Sequence, residues 1–174
     1  LLQDSEVWKI TRPITESEIS PTIHGVIAGR LDRLEKETKK ILQEASVIGR
    51  AFLYEILKRI TQLQDHIDKS LNGLERLDLL RTRSVQPELE YIFKHALTQE
   101  VVYNGLLKSE RKVIHERIGM VMEQLFKDRL LEFYETLAFH FSQARSLHKA
   151  VDYLIKRRRN GTGRLTVSGA LLRR

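Results

Sequence analysis

The chain has 174 residues, 41% hydrophobic and 30% charged side chains, no cysteine and a formal net charge of +7. That length allows one good core or two small ones, and the composition is that of a globular protein rather than a disordered one. No apolar run approaches the roughly 18–20 residues of a spanning helix. The lack of cysteine excludes disulfide and thiolate chemistry and sets the expectation of a reducing cytoplasm, with no membrane partner.

The first residues read as a connector. Glu6–Ile10, "EVWKI", is a short strand candidate, followed by a polar stretch between Pro13 and Pro21. Ser20 suits an N-cap and Pro21 the first helical position. Ile23, Val26, Ile27, Leu31 and Leu34 then make one apolar stripe. Gly25 and Gly29 lower helix propensity there. Arg30 and Arg33 are expected to pair with Asp32 or Glu35 at the surface.

Two helices follow. Ile41, Leu42, Ala45 and Ile48 define the face of the first, with Gly49 as its stop. Phe52, Ile56, Leu57 and Ile60 mark the second. Ile67, Leu71, Leu74 and Leu77 recur at three and four residues and predict a third. Leu89, Tyr91 and Phe93 then alternate with polar neighbours, the period-two signature of a half-buried strand. Ser84–Pro87 is its turn and Leu80–Arg83 its partner strand. Helices followed by a hairpin, closed by a helix over Ala96–Leu107, is the order of a winged helix-turn-helix.

The remainder reads as helix. Ile114, Ile118, Val121, Met122 and Leu125 share one face. The next stretch splits at Ser146 into two antiparallel pieces, lined by Tyr134, Leu137, Ala138 and Phe141, and by Leu147, Ala150, Val151 and Leu154. Small residues Ala138 and Ala150 suit a close helical hairpin of the tetratricopeptide kind. A lone hairpin leaves a face unburied, so the array is expected to continue past Arg174. The expected fold is therefore mainly α: a winged helix-turn-helix with a small β-hairpin, then tetratricopeptide-like helical hairpins. The expected divisions are a connector over 1–34, a winged-helix domain over 35–107 and a repeat array over 108–174.

Charge and chemistry narrow the function. Residues 95–174 carry 15 basic and 8 acidic side chains, a balance equal to the whole surplus, with a block at Lys156–Arg164. Such a block is first a solvated face. The third helix offers Asp65, Asp68, Lys69, Asn72, Glu75, Arg76 and Asp78, more acid than base, which disfavours a duplex. His115, His140 and His148 have no partner at metal spacing, and His24 and His66 stand alone, so no metal site is expected. No phosphate loop, nucleophile elbow or catalytic dyad occurs, so no catalytic residue is assigned. "NGTGR" lacks the lysine and preceding strand of a phosphate loop and reads as a turn. One position does suggest a ligand. In "YIFKHALTQEVVY", His95 lies where a strand gives way to a helix, at the positive end of a helix dipole. Lys94, by alternation, points to the opposite side.

Three blocks carry a resemblance: "SPTIHGVIAGRLDRLEKETKKILQEASVIGRAF", "PELEYIFKHALTQEVVYNGLL" and "LAFHFSQARSLHKAVDYL", together spanning about residues 20–155. In this order they resemble the segment C-terminal to the nucleotide-binding domain in STAND-class signalling ATPases. The similarity is to the bacterial group whose AAA-like ATPase module is linked to an adenylate/guanylate cyclase or a LuxR-type output domain. The resemblance implies a winged helix used for regulation within the polypeptide, contacting an ATPase module on its N-terminal side. It also implies ATP or ADP bound by that module, and a protein or small-molecule signal received through the helical repeats. By position in "FKHALTQE", it implies that His95 touches the phosphates of bound ADP. The segment itself would not be an enzyme, although its parent would be an ATPase, with or without a cyclase domain. After Leu154 the basic, glycine-containing sequence departs from the family pattern, which puts a regular repeat over 156–174 in doubt. The competing readings are a DNA-binding winged-helix regulator and a helical-repeat docking scaffold.

Overall fold

The structure, a computed structural model, describes the backbone of residues 2–4 and 7–9 and the chain from Pro21 to Asn160. Strands β1 (Leu2–Asp4) and β2 (Val7–Lys9) pair antiparallel, Gln3 opposite Trp8. The strand expected in "EVWKI" is thus present, with an unforeseen partner. Ser20 and the basic stretch beyond Asn160 lie outside the described residues.

Helix α1 (Pro21–Leu31) begins at the proline, whose fixed φ and missing N–H suit a first helical position. Its stripe is split: Ile23 and Val26 are exposed, Ile27 is half-buried, and Leu31 is buried where the helix end meets α5. Gly25 and Gly29 have open space where a Cβ would stand, so neither serves close packing. The carboxylates at its C-terminal end are not paired by the nearby arginines as expected. Lys39 holds Asp32 at 2.6 Å and Lys69 approaches Glu35 at 3.5 Å. Arg30 instead donates to the Leu77 carbonyl at 2.9 Å, where the fourth helix leaves carbonyls open.

Helix α2 (Lys36–Ile48) buries Ile41, Leu42, Ala45 and Ile48 as expected. It ends at Gly49, whose φ of 153° is open to glycine but not to a residue with a Cβ. The next segment departs from expectation. Phe52 belongs to strand β3 (Ala51–Leu53), and α3 starts only after it (Tyr54–Ile60). Packing decides this: Phe52 is fully buried, stacked on Tyr91 at 5.9 Å and edge-on to Phe93 at 6.1 Å. A short 3-10 turn (Gln64–His66) leads into α4 (Ile67–Arg76), which buries Ile67, Leu71 and Leu74 while Leu77 lies exposed just past its end.

Strands β4 (Leu80–Ser84) and β5 (Glu90–Phe93) form the expected hairpin, Leu80 opposite Phe93 and Thr82 opposite Tyr91. With β3 they make a three-stranded antiparallel sheet in the order β3-β5-β4. Tyr91 and Phe93 point into the core, as their alternation requires.

Helices α5 (Ala96–Asn104), α6 (Lys108–Leu125), α7 (Tyr134–Gln143) and α8 (Leu147–Asn160) complete the chain, with a 3-10 segment (Lys127–Phe133) before α7. The architecture is mainly helical with one small antiparallel sheet beside it. A single cluster of buried apolar residues runs from Leu31 to Tyr153. Helix α6 joins it to α2 and α3, and its Arg117 donates to the Ile60 carbonyl at 2.8 Å. Helices α7 and α8 pack antiparallel with Ala138 and Ala150 buried. The inner face of α8 differs from the one expected. It buries Ala150 and Tyr153, the latter stacked on Phe141 at 5.8 Å and donating to Glu123 at 2.7 Å. Leu147, Val151 and Leu154 point outward instead, Leu147 at 64% exposure.

Candidate functional site

Strand β5 ends at the buried Phe93, whose neighbour Lys94 donates its backbone N–H to the Leu79 carbonyl at 3.1 Å. The chain then turns into α5, with His95 at the N-cap in an extended conformation (φ −120°, ψ 131°). The His95 carbonyl accepts from the N–H groups of Thr98 and Gln99 at 3.1 and 3.4 Å. Its imidazole makes no capping bond and lies exposed, beside the open N–H groups that begin the helix.

Lys94 is committed elsewhere. Its ammonium pairs with Asp78, which occupies the left-handed turn between α4 and β4 at φ 60°. That hydrogen bond holds the Asp78 carboxyl below the usual carboxylate range, with smaller electrostatic contributions from His95 and Arg81. The β5–α5 joint therefore carries one anchored cation and one exposed imidazole. Beneath it, Gln99 ties α5 to α2 by donating to the Ser46 carbonyl at 2.7 Å.

A second constellation lies away from that joint, between two histidines that the sequence reading did not bring together. His115 on α6 and His140 on α7 face one another, Nδ1 to Nδ1, at 2.8 Å, and each is only 1% exposed. The Tyr103 hydroxyl of α5 meets His115 Nε2 at 3.2 Å, so that a half-buried tyrosine ends a chain of three polar rings. Burial pushes His140 down to about 3, helped by the neighbouring His115, and His115 down to about 4, helped by Arg111. Both imidazoles are therefore neutral at neutral pH. Sharing one hydrogen bond through like atoms, they must carry opposite tautomers at Nδ1. The signal in the sequence was local: His115 follows Ile114, and His140 lies between Leu137 and Phe141, all three core positions. Residue spacing could not reveal that two helices bring together rings 25 residues apart in sequence.

A third polar feature is Glu44 of α2, buried with Oε2 lacking a hydrogen-bond partner. Burial raises its carboxyl above the ordinary value, against a hydrogen bond with Thr61 and the nearby Lys40 and Arg117. Among the described residues, no three metal-capable side chains converge, and no helix is long and apolar enough to cross a membrane. No family model, curated protein or solved structure matches the chain.

Proposed function

We propose that this chain is a regulatory segment of a STAND-class signalling ATPase, in which a winged helix couples the nucleotide state of an ATPase module to a helical-repeat sensor. The exposed imidazole of His95 at the β5–α5 joint carries this reading. A nucleoside diphosphate presents terminal phosphate oxygens. In this reading an N–H of His95, at the positive end of α5, donates to one of them. The contact exists only while the two modules are apposed, so ADP favours that arrangement and its loss releases it.

The order of α2, β3, α3, α4, β4 and β5, with the sheet ordered β3-β5-β4, supports a winged helix. The outward Leu147, Val151 and Leu154 of α8 support a repeat array whose next member would cover them. The array would take the protein or small-molecule signal, and the output would be a cyclase or a transcription-control domain. A DNA-reading role fits less well. On α4, Asp68 accepts a bond from Tyr54, Glu75 accepts from Thr82, and Lys69 is drawn to Glu35. A helix so arranged repels phosphates. A pure docking scaffold would leave His95 without a role.

The coding sequence before Leu1 provides a direct test. The proposal requires a Gly-x-x-x-x-Gly-Lys-Ser/Thr phosphate loop in the domain that precedes this segment. A preceding domain without one rejects it.

A further inference from the structure

A cleft of about 430 Å³ opens between the end of α5, the start of α6 and the α7–α8 turn. Four cations line it: Lys108, Arg111, Lys112 and Arg145. No carboxylate does. Glu110, the one acid in the first turn of α6, instead accepts from the Leu107 N–H at 3.0 Å. Elsewhere among the described residues ten of the 21 lysines and arginines are ion-paired, among them Arg129 with Glu88, Lys149 with Glu123, Lys156 with Asp152 and Arg157 with Glu135. Among the described residues, none of the four in the cleft has an ion-pair partner, although like charges gathered without counter-charge repel one another.

The wall behind them is preorganised. Arg111 lies over the Tyr103 ring at 4.7 Å, which holds its guanidinium in place. Tyr103 in turn is fixed by the buried His115, itself locked to His140. The Lys108–Ser109 end of α6 adds the positive pole of an 18-residue helix. Concentrated cations around a concavity of this size, with a rigid polar floor, fit a short, densely charged ligand better than an extended backbone. A duplex or single strand calls for cations strung along a track.

We propose that this cleft binds a di- or triphosphate chain, free or as part of a nucleotide, at a site separate from His95. Lys108, Lys112 and Arg145 supply charge from the rim, and Arg111 supplies the fork that can engage two phosphate oxygens at once. His115 lies at the floor of the cleft but is almost wholly buried, and with His140 it acts by fixing Tyr103 and so the position of Arg111.

The test is calorimetric titration of the whole chain with tripolyphosphate, orthophosphate, ATP and a single-stranded oligonucleotide, each at about physiological ionic strength. Tripolyphosphate should bind at one site and roughly tenfold or more tighter than orthophosphate, because the longer chain reaches more of the cations. The Lys112→Gln/Arg145→Gln double variant should weaken it about tenfold. The control is Arg158→Gln/Arg159→Gln, which removes equal charge from exposed positions of α8 that do not line the cleft, and it should change affinity less than about twofold. Equal binding of ATP and tripolyphosphate would identify the phosphate chain alone as the recognised part, and tighter ATP would add the nucleoside. No binding of tripolyphosphate overturns the proposal. So does an equal loss in both double variants, or an oligonucleotide that binds where tripolyphosphate does not.

Discussion

His115 and His140 share a single buried hydrogen bond, Nδ1 to Nδ1 at 2.8 Å, between α6 and α7, and the expected consequence is a fold that weakens in acid. Both rings titrate well below the ordinary 6.5, at about 4 and about 3. The unfolded chain therefore binds more protons than the folded one as pH falls through 6.5. Stability present at neutral pH should decline from there toward pH 4, by up to about 1.4 kcal/mol per pH unit for each histidine. Urea unfolding over that range measures the slope. A variant lacking both imidazoles, His115→Phe/His140→Leu, should show a flatter profile.

Glu44 predicts the opposite sign. Its folded carboxyl is raised above 4.5, so it favours the fold below that pH and loses that contribution as pH rises through its folded value. Glu44→Gln should therefore gain stability relative to wild type between pH 4.5 and pH 7, read from the same urea series. A difference between the two proteins that does not change with pH would mean that the carboxyl titrates alike in both states.

Packing between α6 and α7 gives a third prediction. A Cβ on Gly119 would lie 2.7 Å from Cζ of Phe141, a ring that is itself fully buried and stacked on Tyr153. Gly119→Ala should destabilise by about 1–3 kcal/mol despite the better helix propensity of alanine. Thermal unfolding measures it.

Helices α2, α4 and α6 were readable because their buried residues recur at three and four positions. The β4–β5 hairpin was readable from the alternation of Leu89, Tyr91 and Phe93. Phe52 was not, because a three-residue strand has no period of its own and exists only through pairing with β5. The outward turn of Leu147, Val151 and Leu154 was also hidden. Two apolar stripes compete on α8, and the stacking of Tyr153 on Phe141 selects the one through Ala150. His95 was legible as a joint from local sequence alone. The His115–His140 pair required two helices to converge, α6 and α7, and the cationic cleft three.

DNA binding supplies a fourth prediction. At about physiological salt, random duplex DNA should not be retarded by the chain through α4. Any retardation at low salt should be unchanged by Lys69→Ala/Arg76→Ala, since those are the only cations on that helix. A mobility shift abolished by that pair of substitutions would instead restore the DNA-reading role.

The central proposal is that the His95 imidazole senses the nucleotide state of an adjoining ATPase module. It is tested most directly by measuring ADP affinity and release in a polypeptide that joins this chain to the proposed ATPase module. His95→Ala should weaken ADP retention about tenfold or more, the worth of one hydrogen bond to a charged phosphate. Lys94→Ala, which disturbs only the Asp78 pair, should leave it nearly unchanged. Equal ADP affinity and equal release in wild type and His95→Ala would contradict the account.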